Sequence, residues 1–133
     1  MRIIKRQMLN LDKNKKYLLA CSYGPDSMAL FNMLQKEGYD FEVAHVNYHF
    51  RKESDEEERA LRNYCFKNNI IIHVFQNLET VTNNLEARAR EIRYLFFKKI
   101  YRQGRFDALL VAHHEDDLIE TYLMQKDKNL HPF

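Results

Sequence analysis

Short apolar runs of strand character alternate along this chain with segments whose apolar residues recur at helical spacing. Tyr17–Cys21, Phe41–Val46, Ile70–Phe75 and Phe106–Ala112 read as strands. Between them, Ser27–Leu34 has a helical period, with Gly38 as its stop. Ser54-Asp55-Glu56-Glu57 has the form of a capping box ahead of a helix through Arg59–Phe66. Asn83 or Asn84 can cap a long helix to about Arg102, with Leu85, Ala89, Ile92, Phe96 and Ile100 on one face. A last helix is expected from about Glu115 to Met124. Alternation of this kind predicts an α/β fold, a parallel sheet covered on both faces by right-handed crossovers. Ligands of such sheets sit beyond the carboxyl ends of the strands. Three remote clusters then share one rim: Ser22 to Ser27, His45 to His49, and His113 to Asp117.

The first of these is the most specific. A buried strand, the loop Ser22-Tyr23-Gly24-Pro25-Asp26-Ser27 and a helix start in succession make an anion site. Amides in the first helical turn lack partners there, and the helix dipole favours negative charge. Phosphate is the expected ligand. The Walker pattern is excluded, because no lysine lies between Lys16 and Lys36. The dinucleotide fingerprint is excluded too, since the only glycines are Gly24, Gly38 and Gly104. A solvated strand–helix turn, with Asp26 or Ser27 merely capping the helix, remains the alternative.

At 133 residues the chain suits one domain, burying roughly two-thirds of its unfolded surface. Its 21 basic and 19 acidic residues leave a net charge of only +2, so no strong footprint for nucleic acid is visible. No stretch is apolar enough for a signal peptide or a membrane span. Cys21 and Cys65 are too few and too separated for a disulfide framework or a CxxC site, and read as small buried hydrophobes. A cytoplasmic protein is expected.

The remaining constellations are chemically suggestive. His113-His114-Glu115-Asp116-Asp117 follows the fourth strand directly. A well-capped helix start would explain its acids. The HExxH zinc pattern fails, because Leu118 stands where its second histidine belongs. Paired carboxylates beside a phosphate loop suit Mg²⁺, a hard ion held through one or two carboxylates. His45-Val46-Asn47-Tyr48-His49-Phe50-Arg51 carries two histidines, aromatic rings and an arginine at a strand end. Its backbone could pair with an adenine edge, although His45 fits a core position equally well. Arg90 and Arg93 fall on one helical face, where a guanidinium suits phosphate and where ion pairs with Glu86 or Glu91 are the plainer explanation.

The loop resembles the Ser-Gly-Gly-x-Asp-Ser loop of the PP-loop ATP pyrophosphatases. Together with His45 to Arg51, Glu86-Ala87-x-Ala89-Arg90-x-x-Arg93-Tyr94 and His113-His114-x-Asp116-Asp117-x-x-Glu120-Thr121, it is similar to the N-terminal catalytic domain of the tRNA(Ile)-lysidine synthetases. The resemblance covers about residues 14 to 125. It implies a three-layer, Rossmann-like sheet of the adenine-nucleotide α-hydrolase type, and ATP with Mg²⁺. The implied reaction adenylates carbon 2 of the wobble cytidine in tRNA(Ile) with a CAU anticodon. Free L-lysine then displaces AMP.

By that resemblance Ser22, Tyr23, Gly24, Pro25, Asp26, Ser27 and His45 bind ATP, and Asp26 and Asp117 hold the metal. Arg93 and His113 steady negative charge or orient the cytidine, while Asp116 or Glu120 receives the lysine ammonium. Tyr23 departs from the pattern, which has glycine there, and Pro25 has no N–H to offer phosphate. A single PP-loop domain over 1–133 is expected, ending short of the usual catalytic domain and its tRNA-binding continuation. The rival readings are a tRNA thiolase and a nucleotide-binding module without catalysis.

Overall fold

A computed structural model describes residues 2–5, 11–80, 83–112 and 118–123, with only the backbone of 2–5 and 118–123 considered. Its elements in chain order are β1 (Arg2–Lys5), β2 (Lys16–Ala20), α1 (Pro25–Lys36), β3 (Asp40–Asn47), α2 (Ser54–Lys67), β4 (Ile72–Gln76), α3 (Leu85–Gly104), β5 (Ala108–Ala112) and β6 (Leu118–Leu123). They form one sheet in the order β1-β6-β5-β2-β3-β4. Strands β5, β2, β3 and β4 are parallel, as the alternating pattern required.

Strand alternation sorts the core into two layers. Tyr17, Leu19, Phe41, Val43 and Leu110 face α1 and α2, meeting Leu30, Phe31, Leu34, Leu61 and Cys65. Leu18, Ala44, Val46 and Leu109 face α3, meeting Ile92, Phe96, Phe97, Ile100 and Tyr101. Both faces of β2 are therefore buried, which is why it reads as a continuous apolar run. Among the described residues, no helix is long and apolar enough to cross a membrane.

Two local expectations are corrected, and one strand is new. Within the span Glu115 to Met124 expected as a helix, the described residues Leu118–Leu123 are instead strand β6, antiparallel to β5 and β1. Short apolar runs fit either period, and the β-branched and aromatic residues Ile119, Thr121 and Tyr122 favour pairing along an otherwise open β5 edge. Strand β1 carries no signal strong enough to be expected from the sequence. The capping box at Ser54 is also absent, because Glu53 is the N-cap and makes no side-chain cap. The acids that follow are drawn into tertiary contacts, and buried Asn47 donates to both Asp55 and Glu58 at 2.9 Å.

Helix α1 ends as its glycine suggested, with Gly38 at φ +79°. Helix α3 ends differently. Arg105 takes the left-handed position at φ +54°, and Phe106 N–H returns to the Tyr101 carbonyl at 3.3 Å. Gly104, one residue earlier, is needed for space, since a Cβ there would lie 2.2 Å from the buried Phe106 ring. The Lys16 ammonium sits 4.5 Å from that ring's centroid and braces it. Gly104→Ala should therefore destabilise the fold by about 2 kcal/mol in chemical denaturation. Most of the loss should be recovered in a Phe106→Leu background; equal losses in both backgrounds would contradict the clash.

Candidate functional site

The carboxyl ends of β2, β3 and β5 open onto a cavity of about 360 Å³. Its floor is the turn from Ala20 to Ser27, and its walls are Val46 and Tyr48 after β3, Arg93, Tyr94 and Phe97 from α3, and Val111 and Ala112 of β5. A second cavity, of about 180 Å³, adjoins it and includes Ser22, His45, Asn47, Phe50, Arg51 and Glu57.

Local chemistry shapes the turn. Cys21 N–H donates to the Ala44 carbonyl at 2.9 Å, carrying the β2–β3 ladder one residue past the strand. His45 Nδ1 donates to the Cys21 carbonyl at 2.8 Å, and Gly24 N–H donates to Ser22 Oγ at 3.3 Å. The N-cap of α1 is Gly24, which provides no side-chain cap, so neither Asp26 nor Ser27 caps the helix. Ser27 Oγ turns back to the Gly24 carbonyl at 3.2 Å. The first intrahelical bond, Met28 N–H to Gly24, leaves the amides of the preceding turn without a carbonyl one turn back. Pro25 at the first helical position fixes φ where its missing N–H costs nothing.

The departure at Tyr23 has a conformational consequence. Tyr23 sits at φ +67°, whereas Gly24 lies at an ordinary −81°. The turn thus demands a left-handed residue at the position where tyrosine replaces the family's glycine, and strain is stored there. The ring itself is partly exposed and is not among the cavity walls.

His45 is buried, and burial pushes its pKa below the ordinary value, with the Cys21 carbonyl only partly opposing this. Burial raises the Cys21 thiol as well, and pushes Cys65 up to about 12. Neither sulfur is the low-pKa thiolate of a nucleophile or a metal ligand. Tyr48 is likewise raised by burial, with Arg93 opposing. It therefore stays a neutral donor, giving its hydroxyl hydrogen to the Ala89 carbonyl at 3.1 Å.

Of the expected residues, Ser22, Gly24, Pro25, Asp26, Ser27 and Arg93 line the larger cavity, and His45 lines the smaller. Arg93 Nη1 reaches the Tyr48 hydroxyl at 3.5 Å, while Arg88 pairs with Glu79 and Glu91. Arg90 and Arg93 converge on one ring, with guanidinium carbons 5.4 and 5.7 Å from the Tyr94 centroid. His113, Asp116 and Asp117 lie outside the described residues. Glu120 belongs to β6, in register with Val111. Among the described residues, no three His, Cys, Asp or Glu side chains gather into a metal site. Sequence reasoning missed Tyr94 and Phe97 as walls and Asn47 as a hub. An asparagine within an apolar strand run was the available signal for the hub.

The donor set suits a nucleoside triphosphate: helix-terminal amides and a guanidinium for phosphate, with apolar walls for a base. A family model for the PP-loop domain matches residues 2–131. The tRNA(Ile)-lysidine synthase of Ureaplasma parvum serovar 3 is 42% identical over 125 residues, which is 90% of this chain and 37% of the relative. That of Campylobacter jejuni strain RM1221 is 42% identical over 122 residues, 92% of this chain and 38% of the relative. The chain thus spans under two-fifths of the length of these curated relatives. Among solved structures, the U34-tRNA thiolase NcsA from Methanococcus maripaludis with its 4Fe–4S cluster superposes with a TM-score of 0.66. At 23% identity, over 80% of this chain and 40% of that one, the likeness is one of fold.

Two outcomes follow from the geometry. Tyr23→Gly should raise stability by about 1 kcal/mol by relieving the left-handed turn, while Tyr23→Ala, which keeps the strain, should not. Equal urea midpoints for the glycine and alanine variants would refute this. Because His45 is held neutral, the unfolded chain binds a proton there that the folded chain resists. Stability is full above about pH 6.5 and declines as pH falls through that value. The decline should be shallower in His45→Gln, and parallel pH profiles would remove His45 as its source.

Proposed function

The chain belongs to the PP-loop domain family, and on that footing we propose that it is the nucleotide-binding, catalytic portion of a tRNA-modifying ligase. In this reading it uses ATP to join free L-lysine to carbon 2 of the wobble cytidine in tRNA(Ile) with a CAU anticodon. The supporting observation is the shared cavity. The Ser22 to Ser27 loop and the Arg93 guanidinium, far apart in sequence, meet at the carboxyl rim of the sheet. Identity to lysidine synthases over about nine-tenths of the chain supports the choice of reaction.

The chemistry divides into two displacements. The cytidine oxygen attacks the α-phosphorus of ATP, forming a P–O bond as pyrophosphate leaves. An amine of lysine then attacks carbon 2, and AMP departs with the oxygen. In the first step the main demands are in-line alignment and neutralisation of growing charge. Ser22, Tyr23, Gly24 and Ser27 present hydroxyls and amides to the phosphates, and Pro25 preorganises the turn. Arg93 balances charge at the α-phosphate, with His113 as its partner in that role. His45 supports the adenosine end. Asp26 and Asp117 would hold Mg²⁺, whose contribution when bound is to offset charge on the departing pyrophosphate. Asp116 or Glu120 receives the lysine ammonium.

A thiolase reading has less support. Cys21 and Cys65 are both buried with raised pKa values, the reverse of what a sulfur carrier needs.

The test supplies ATP, labelled lysine and tRNA(Ile) transcript to this chain and to a chimera carrying it on the C-terminal remainder of the Ureaplasma relative. Label should enter the RNA, with release of pyrophosphate, in the chimera at least. Asp26→Ala and Arg93→Ala should each lower that rate about a hundredfold, on the order of 3 kcal/mol, without shifting thermal unfolding. ATP cleavage that depends on a sulfur donor would favour the thiolase instead. Nucleotide binding with no turnover in either protein would favour a module without catalysis.

A further inference from the structure

His45 aside, the residues peculiar to the smaller cavity have no role in the two steps above, while Ser22, Val46 and Tyr48 line both cavities. Its distinctive wall is an aromatic pair. Phe50 stacks on Tyr48 with centroids 5.1 Å apart and planes 18° from parallel. Phe50 remains 39% exposed, although an apolar ring is ordinarily driven into a core.

The surrounding turn is braced at each residue. The Tyr48 hydroxyl is anchored to the Ala89 carbonyl of α3. His49 takes φ +57°, its N–H bonded to Asn47 Oδ1 at 2.9 Å. Its imidazole contacts Asp55 Oδ1 at 3.1 Å and Gln76 Oε1 at 2.7 Å. The Arg51 guanidinium is held by Glu57 at 2.6 Å. A flat apolar face is thus presented on a stiff mount, the arrangement that lowers the entropic cost of binding. Polar groups stand beside it. Ser22, Asn47 and Glu57 line the same cavity.

We infer that the smaller cavity takes the unpaired base of the RNA substrate, stacked on the Phe50 face of the Tyr48–Phe50 pair. This rests on the proposed tRNA-modifying reading and deepens it. An aromatic face with hydrogen-bonding groups around it is how proteins read splayed-out bases in RNA loops. Ser22 is a wall of both cavities, so a base held here lies next to the triphosphate that must react with it. The smaller volume, half that of the neighbour, suits a single base.

A stem-loop with the tRNA(Ile) anticodon, carrying pyrrolocytidine at the first anticodon position, provides the readout. Titrated with the protein, its fluorescence should be quenched as the base stacks. Phe50→Trp should preserve quenching and affinity, whereas Phe50→Leu should abolish quenching and weaken binding about tenfold, as loss of one stacked base does. Affinity for a fluorescent ATP analogue should stay within about twofold in both variants. Wild-type quenching and affinity in Phe50→Leu would overturn the base pocket and leave the ligase reading standing. Loss of ATP affinity in step with RNA affinity would assign the pair to maintenance of the turn, and also overturn it. No RNA binding by the wild type would refute the pocket together with the reading beneath it.

Discussion

Strand β2 is hydrogen-bonded along both edges by parallel partners, pairing Ala20 with Ala44 of β3 on one side and with Val111 of β5 on the other. Parallel pairing sends all three chains toward the same rim, where each must leave the sheet. The turn at Ser22 to Ser27, the aromatic turn after β3 and the end of β5 share a neighbourhood for that reason. A hydrophobic layer on each face enforces the register, since a one-residue slip would turn Leu18 and Leu19 to the wrong sides.

The rim is then stiffened by a small number of polar contacts. His45 ties the end of β3 to the phosphate turn through the Cys21 carbonyl, and Tyr48 ties the next turn to α3. Asn47, 2% exposed, links β3 to α2 through Asp55 and Glu58. Burial works against the Glu58 carboxylate, yet hydrogen bonds from Asn47, Arg62 and Gln76 overcome it and hold its pKa below the usual range. Arg93 benefits from this bracing. It projects from the helical turn that Tyr48 clamps, because Ala89 lies four residues before it.

Much of this was legible in the sequence because periodicity reports burial. The four parallel strands and the three helices α1 to α3 follow directly from where apolar residues recur. The turn at Ser22 to Ser27 and the position of Arg93 on α3 were legible too, as spacing alone sets a residue's helical face. Leu118–Leu123 was not, because six residues cannot separate two periods and a neighbouring open strand decided between them. Side-chain capping failed as a guide at the starts of both α2 and α3. Ser54 accepts from Arg51 N–H, and Asn84 occupies the N-cap of α3 at φ +51° without a side-chain bond. Leu85, counted on the apolar face of α3, is 46% exposed, and Glu86 and Ala87 beside it are exposed too.

Among the described residues, five other than glycine hold positive φ, namely Tyr23, His49, Asn69, Asn84 and Arg105, in a chain that has three glycines altogether. Asparagine tolerates this conformation, but Tyr23, His49 and Arg105 each give up about 1 kcal/mol to it. Small domains retain only about 5 to 15 kcal/mol of net stability, so this toll is a sizeable fraction. Each such corner narrows the chain's mutational headroom. Random drift in its core would reach the unfolding threshold sooner than in a chain with glycine at the same corners.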